Sequence, residues 1–168
     1  MDRQQIGMKL TIDCLGLPFK LDTFEDRLIL QKTVYLAQAC GVHLGYYFHW
    51  YLRGPYSPQL TDDAFAVRPE ISAGIEDWKT WKLDARSAAR LARLRDLFSD
   101  RDRPRLAQRL ELLGSVHFLL DRKQVSPSAT GITGTLRAYG KRFTHQDVKV
   151  ALKDLQDYGL LPRRRSRW

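Results

Sequence analysis

The sequence predicts a mainly α-helical fold, or an α+β fold with one small β element. Three observations carry this. Apolar residues recur at helical spacing over most of the chain, capping residues stand at the starts of several such stretches, and only Tyr46 to Leu52 has the aromatic composition of a strand. With 168 residues and 43% hydrophobic content, the chain is long enough for one domain with an apolar core, taken as residues 1–168.

Residues 3–15 can form a helix, stopped by Gly16 and Pro18. Asp22 or Thr23 caps the next one, about 24–40, with Glu25 and Asp26 in its first turn. Its apolar run, from Leu28 through Ala39, makes it central to a core, and Gly41 ends it. The strand at 46–52 is closed by Gly54-Pro55, and Ser57-Pro58 leads into a short helix near 59–66. Asp84 caps a helix over 84–99 in which Leu91, Leu94 and Phe98 share a face, while Arg86, Arg90 and Arg93 form a second stripe. After a charged break at 100–104, a helix at 105–121 carries Leu106, Leu110, Leu113, His117 and Leu120 at heptad-like spacing, which makes His117 a hydrogen-bonded core residue. Ser126 to Thr135, rich in Ser, Thr and Gly, reads as a loop. Thr144 and Asp147 approximate a capping box for the last helix, which Gly159 ends. Leu160-Leu161 then offers an extended piece, the usual close of a winged-helix-like unit.

Charge is concentrated. Residues 86–109 hold eight arginines against three aspartates, residues 162–168 hold four arginines and no acid, and together they equal the net charge of +9. Neither segment contains a lysine, and arginine suits planar, bidentate contact with phosphate or carboxylate. One reading is a nucleic-acid footprint made by Arg86, Arg90, Arg93, Arg101, Arg103, Arg105, Arg109, Arg163, Arg164, Arg165 and Arg167. The other is a set of solvated helical faces and a basic tail.

No catalytic template is met: there is no Gly-x-Ser-x-Gly elbow, no Gly-x-x-x-x-Gly-Lys loop and no His-Glu-x-x-His. Gly131 to Gly134 lacks the lysine of a phosphate loop. His43, His49, His117 and His145 have no cysteine at ligand spacing, so no metal or cofactor is expected. Cys14 and Cys40 sit among apolar residues and are expected reduced, which fits a cytoplasmic location. Thr33 to Leu52 lacks any Lys, Arg, Asp or Glu, but His43, His49, Gly41 and Gly45 argue against a membrane span. The Met1–Gln5 start opens no signal peptide.

Two stretches carry a family pattern: Leu30-Gln31-Lys32-Thr33-Val34-Tyr35-Leu36-Ala37-Gln38, and Trp50-Tyr51-Leu52-Arg53-Gly54-Pro55-Tyr56-Ser57-Pro58 with Asp62-Asp63 after it. This pairing resembles the YwgA-like bacterial proteins and the wider SocA-like (Panacea) antitoxin group, described as phage-associated. The likeness is densest over residues 28–63 and extends to Leu112–His117 and Lys141–Leu161. Gly-Pro-Tyr stands where the Panacea group usually has Gly-Pro-Val, which places the match nearer the YwgA-like branch. The resemblance implies a helical, non-enzymatic protein. It implies an antitoxin that neutralises a paired toxin by direct binding, an adaptor that delivers it to a protease, or another accessory of bacterial defence.

The same residues have a structural reading. Gln31 and Lys32 lie one turn before Tyr35 and Gln38 on an apolar helix, so they need polar partners, which the turn at Arg53-Gly54-Pro55-Tyr56 offers. Asp62 or Asp63 is the expected salt-bridge partner of Lys32. Arg53 and Tyr56, at a turn tip, are the expected partner-binding residues. Three functions remain open: a protein-binding module, its partner a toxin or defence-complex subunit; a nucleic-acid-binding module for DNA or RNA; and an enzyme whose site is assembled from distant residues.

Overall fold

Two reciprocal caps set the first helices. In α1 (Arg3–Cys14) the Asp2 carboxylate accepts from the Gln5 N–H and the Gln5 side chain reaches back to Asp2. In α2 (Phe24–Ala39) Thr23 and Asp26 do the same, so Thr23 is the cap. The computed structural model describes residues 1–161; Arg163, Arg164, Arg165 and Arg167, expected to bind nucleic acid, lie outside the described residues.

α2 ends at Gly41, whose φ of +96° favours glycine, and the Arg90 guanidinium donates to the Gly41 carbonyl at 2.5 Å. The chain then runs extended, with Val42, Leu44, Tyr46 and Phe48 buried and His43, Gly45 and Tyr47 exposed between them. The paired strand is shorter than expected: β1 (His49–Tyr51) runs antiparallel to β2 (Gly54–Tyr56), with Trp50 opposite Pro55. Gly54-Pro55 therefore does not close the strand but forms its partner. Leu52-Arg53 makes the turn, and Gly54 follows at φ +83°. A side chain at Gly54 would collide with Ser115, so this glycine also permits the hairpin's close approach to the helix that carries Ser115.

Ser57 caps α3 (Pro58–Ser72), which runs past the expected end at 66 because Leu60, Ala64 and Val67 all bury on one stripe. Pro69 sits inside it, and the helix stops one turn later. Asp84 caps α4 (Ala85–Leu94), which tightens into a 3-10 turn at Arg95–Phe98. α5 (Arg103–Asp121) begins two residues early, capped by Asp102 with Pro104 in the first turn where a missing N–H costs nothing. The segment read as a loop is in large part α6 (Ala129–Ala138): Ser128 caps it and Ile132 and Leu136 bury one turn apart. Packing against α7 (His145–Asp157) outweighs the low helix propensity of Gly131 and Gly134. Thr144 and Asp147 form the expected box, and Leu160 folds back so that its N–H meets the Leu155 carbonyl at 2.7 Å. No strand follows α7 among the described residues.

All seven α-helices of the described residues contribute to one apolar core, with α2 packed most extensively on α5 at its centre. No helix among the described residues is long and apolar enough to cross a membrane.

Candidate functional site

The polar residues of the motif helix act as a clamp. The Gln31 amide donates to the Ser57 carbonyl (2.8 Å) and the Thr61 hydroxyl (2.9 Å), and accepts from the Ser57 N–H (2.9 Å). Lys32, 1% exposed, donates to the Pro55 carbonyl at 2.5 Å. Gln38 brackets Tyr46, giving to its carbonyl and taking from its N–H, both at 2.9 Å. Tyr35 pairs its hydroxyl with His117 Nδ1 at 2.7 Å, which satisfies the histidine as a core residue. Burial pushes the Tyr35 hydroxyl's pKa up and holds His117 down at about 4, well below the ordinary imidazole range.

Asp62 and Asp63 are not the partners of Lys32. Asp62 is exposed, while Asp63 accepts from the Tyr46 hydroxyl (2.9 Å) and the Gln5 amide (3.2 Å). The carboxylate that acts on Lys32 is Glu111, from α5. Burial pushes the Lys32 amine down to about 7, Glu111 opposes that shift, and nearby Lys141 adds to it. Glu111 itself, buried, takes Lys141 at 2.7 Å and Arg53 at 3.3 Å, and Lys141 also donates to the Leu52 carbonyl at 3.2 Å. The hairpin tip is thus held at Leu52 by Lys141, at Arg53 by Glu111, at Pro55 by Lys32 and at Ser57 by Gln31. Glu111 and Lys141 had no signal in the sequence, because their partners lie 58 and 89 residues away.

Beside this clamp lies a groove of about 540 Å³ between the first half of α2, the hairpin and α3. Its walls expose Phe24 (49%), Tyr51 (58%), Leu52 (77%) and Phe65 (41%). Arg27, Lys32 and Arg53 also line it, and no Asp or Glu does. Arg53 lies 5.5 Å over the Phe24 ring, and Arg27 donates to the Leu21 carbonyl at 2.9 Å. Tyr56 and Gly54 belong to the same wall, with the Thr61 hydroxyl donating to the Tyr56 hydroxyl at 3.0 Å. Of the two residues expected at a partner surface, Arg53 is well exposed and Tyr56 half-buried. Phe24 and Phe65 were missed. Their signal was available as bulky apolar residues off the buried stripe of their own helices, Phe65 beside Ala64 and Phe24 at the very start of α2.

A second cleft of similar size lies between α1, residues 42–44 and residues 81–87, but its walls mix Arg3 and Lys82 with Asp84. Among the described residues no group of three or more His, Cys, Asp or Glu side chains stands close enough to hold a metal ion.

Several arginines of the segment, including some expected to bind nucleic acid, are tied to separate partners. Arg90 caps α2 at Gly41, Arg95 donates to the Cys14 carbonyl (2.9 Å), Arg103 pairs with Asp26, and Arg109 pairs with Asp154 (3.0 Å). Arg105 lies 3.8 Å from Asp100. Burial alone would raise the Asp26 carboxyl, but its hydrogen bonds from Arg103 and Thr23 outweigh that and hold its pKa below the usual range. Arg86, Arg93, Arg95 and Arg101 of this segment are exposed with no acidic partner within reach among the described residues, and of these Arg95 alone is tied to a carbonyl.

Fold and site together define a mainly helical protein with a polar-clamped hairpin forming one wall of an apolar, cation-lined groove. Compared with protein-family models, curated proteins and solved structures, the chain matches none.

Proposed function

We propose that this protein is a non-enzymatic binding module that holds a partner protein in the groove between α2, the hairpin and α3. The observation that carries the reading is the contiguity of Phe24, Tyr51, Leu52 and Phe65, four solvent-facing apolar side chains on a clamped scaffold. Exposed apolar residues are ordinary when scattered; gathered in one groove with a polar rim, they favour an interaction site. The hairpin is fixed before any partner arrives, which lowers the ordering cost of association. The resemblance of residues 28–63 to YwgA-like and SocA-like proteins supports an antitoxin-like or defence-accessory role, with a toxin or complex subunit as the partner.

The test compares tagged full-length wild type with Leu52→Asp, Phe65→Asp and the surface control Arg86→Ala. The expected result is a stoichiometric co-purifying protein that both groove variants lose and the control keeps. Tight binding to mixed duplex DNA or single-stranded RNA at physiological salt would overturn it, provided that binding is lost when Arg86, Arg93 and Arg101 become Ala and kept by both groove variants.

A further inference from the structure

We infer that the occupant of the groove is a short protein segment in which acidic side chains alternate with aromatic or large aliphatic ones. This rests on the protein-binding reading above and names the chemistry of what binds.

The charge around the groove is one-sided. Arg27, Lys32 and Arg53 line it, and a buried carboxylate behind Arg53, that of Glu111, is already shared between Lys141 and Arg53. One buried carboxylate thus faces Lys141, Arg53 and Lys32 together, so the wall carries an excess of positive charge that a carboxylate from outside would complement. Arg53 is held from two sides, by Glu111 and by the Phe24 ring, so its guanidinium is pre-oriented. The Arg27 side chain is oriented in the same way by the Leu21 carbonyl.

The apolar requirement comes from the same walls. Leu52 at the hairpin tip, Phe65 on α3 and Phe24 on α2 all face solvent and line the groove. A volume of about 540 Å³ falls within the range of ordinary ligand clefts. A purely acidic segment would leave these rings wet, and a purely apolar one would cover Arg27 and Arg53 with only the shared Glu111 behind them as counter-charge, which is costly. A polynucleotide fits less well: its phosphates repeat at fixed spacing, whereas these cations are gathered within one groove and interleaved with aliphatic surface.

The experiment is selection of a displayed random-peptide library on the immobilised full chain, with Phe65→Asp as the counter-target. The expected outcome is a consensus holding Asp or Glu next to Phe, Trp, Leu or Ile. A synthetic consensus peptide should bind wild type and lose at least about tenfold in affinity when its own acids become Asn or Gln. That arm leaves the protein untouched, so it does not depend on any variant folding. Arg27→Gln and Arg53→Gln, checked for native circular dichroism, should lose affinity to a similar degree. Groove-dependent peptides without acids, or with basic residues, would overturn the inference and leave the protein-binding reading standing. Absence of any peptide whose binding depends on Phe65 would overturn both.

Discussion

The motif block at 28–63 and the arginine-rich segment at 84–109 both stand out in the sequence by their polar residues, and the fold uses the two in contrasting ways. In the block, Gln31, Lys32 and Gln38 turn inward to hold backbone carbonyls of the chain that follows, while Tyr51 and Leu52, with Phe65 just beyond the block, are left facing solvent. In the segment, Arg90, Arg95, Arg103 and Arg109 reach across to other elements and tie them down. A region that looks like a core helix thus helps build the candidate interface, and one that looks like an interface largely staples the fold. Local charge density does not translate directly into surface potential when charges have carboxylate partners, as Arg103 and Arg109 do, whereas Arg90 and Arg95 are tied to carbonyls and keep their charge.

The comparison can be broken first at Glu111. Changing Glu111→Ala leaves Lys141 buried without its anion and releases Arg53, which should cost about 3–5 kcal/mol, as removing one partner of a buried pair generally does. Urea unfolding reads this as a lower midpoint at unchanged slope. A loss under about 1 kcal/mol would mean that Glu111 is not central to the clamp.

His117 gives the next largest effect, and it depends on pH. The folded imidazole titrates at about 4 because burial disfavours its charged form, against 6.5 in the unfolded chain. Between those values the unfolded state binds more protons, so stability is complete above pH 6.5 and falls as pH drops toward 4, by on the order of 3 kcal/mol. Unfolding midpoints measured from pH 7 to 4 should show this slope, and His117→Asn should flatten it. The carboxylate of Asp121 and the guanidinium of Arg122 act on the same ring in opposite directions, so removing Asp121 alone should move the window to lower pH, and removing Arg122 alone to higher pH.

What the sequence made legible divides along the same line. Thr23 with Asp26, Asp84 and Thr144 with Asp147 each announce a helix start within four residues, and each cap forms. The inward role of Gln31 and Lys32 was also readable, since a polar pair on an apolar helix must find partners. α6 was not readable: its two glycines lower helix propensity locally, and what stabilises it is burial of Ile132 and Leu136, set by tertiary contact. The true counter-charge of Lys32 was equally hidden. Asp62 and Asp63 were near in sequence, whereas Glu111 arrives from a helix packed on α2. The groove followed suit, because no periodicity links Phe24 to Leu52 and Phe65.

A middle-sized effect sits at the Arg103–Asp26 pair, which joins the start of α5 to the cap of α2. Arg103→Ala should cost about 1–2 kcal/mol, because a buried carboxylate loses its charged donor yet keeps its Thr23 hydrogen bond. Arg103→Lys should recover only part of that, since the arginine donates through both Nε and a terminal nitrogen. Full recovery by lysine would make charge alone sufficient.

The smallest effects separate staples from solvated charge within the segment itself. Arg86→Ala, Arg93→Ala and Arg101→Ala should each shift stability by less than about 0.5 kcal/mol, as exposed side chains without an acidic partner generally do. Together with Arg95, whose partner is an uncharged carbonyl, the same three should account for most of the segment's attraction to polyanions, so the triple variant should elute earlier from a heparin column than Arg103→Ala does. If the triple variant instead loses more than about 1 kcal/mol, these residues also act in the fold and the whole segment is structural. If Arg103→Ala elutes as early as the triple variant, the ion pair with Asp26 does not neutralise Arg103 as its geometry requires. The contrast with the hairpin block would then have to be drawn at α4 alone, where Arg90 caps α2 while Arg86 and Arg93 face solvent.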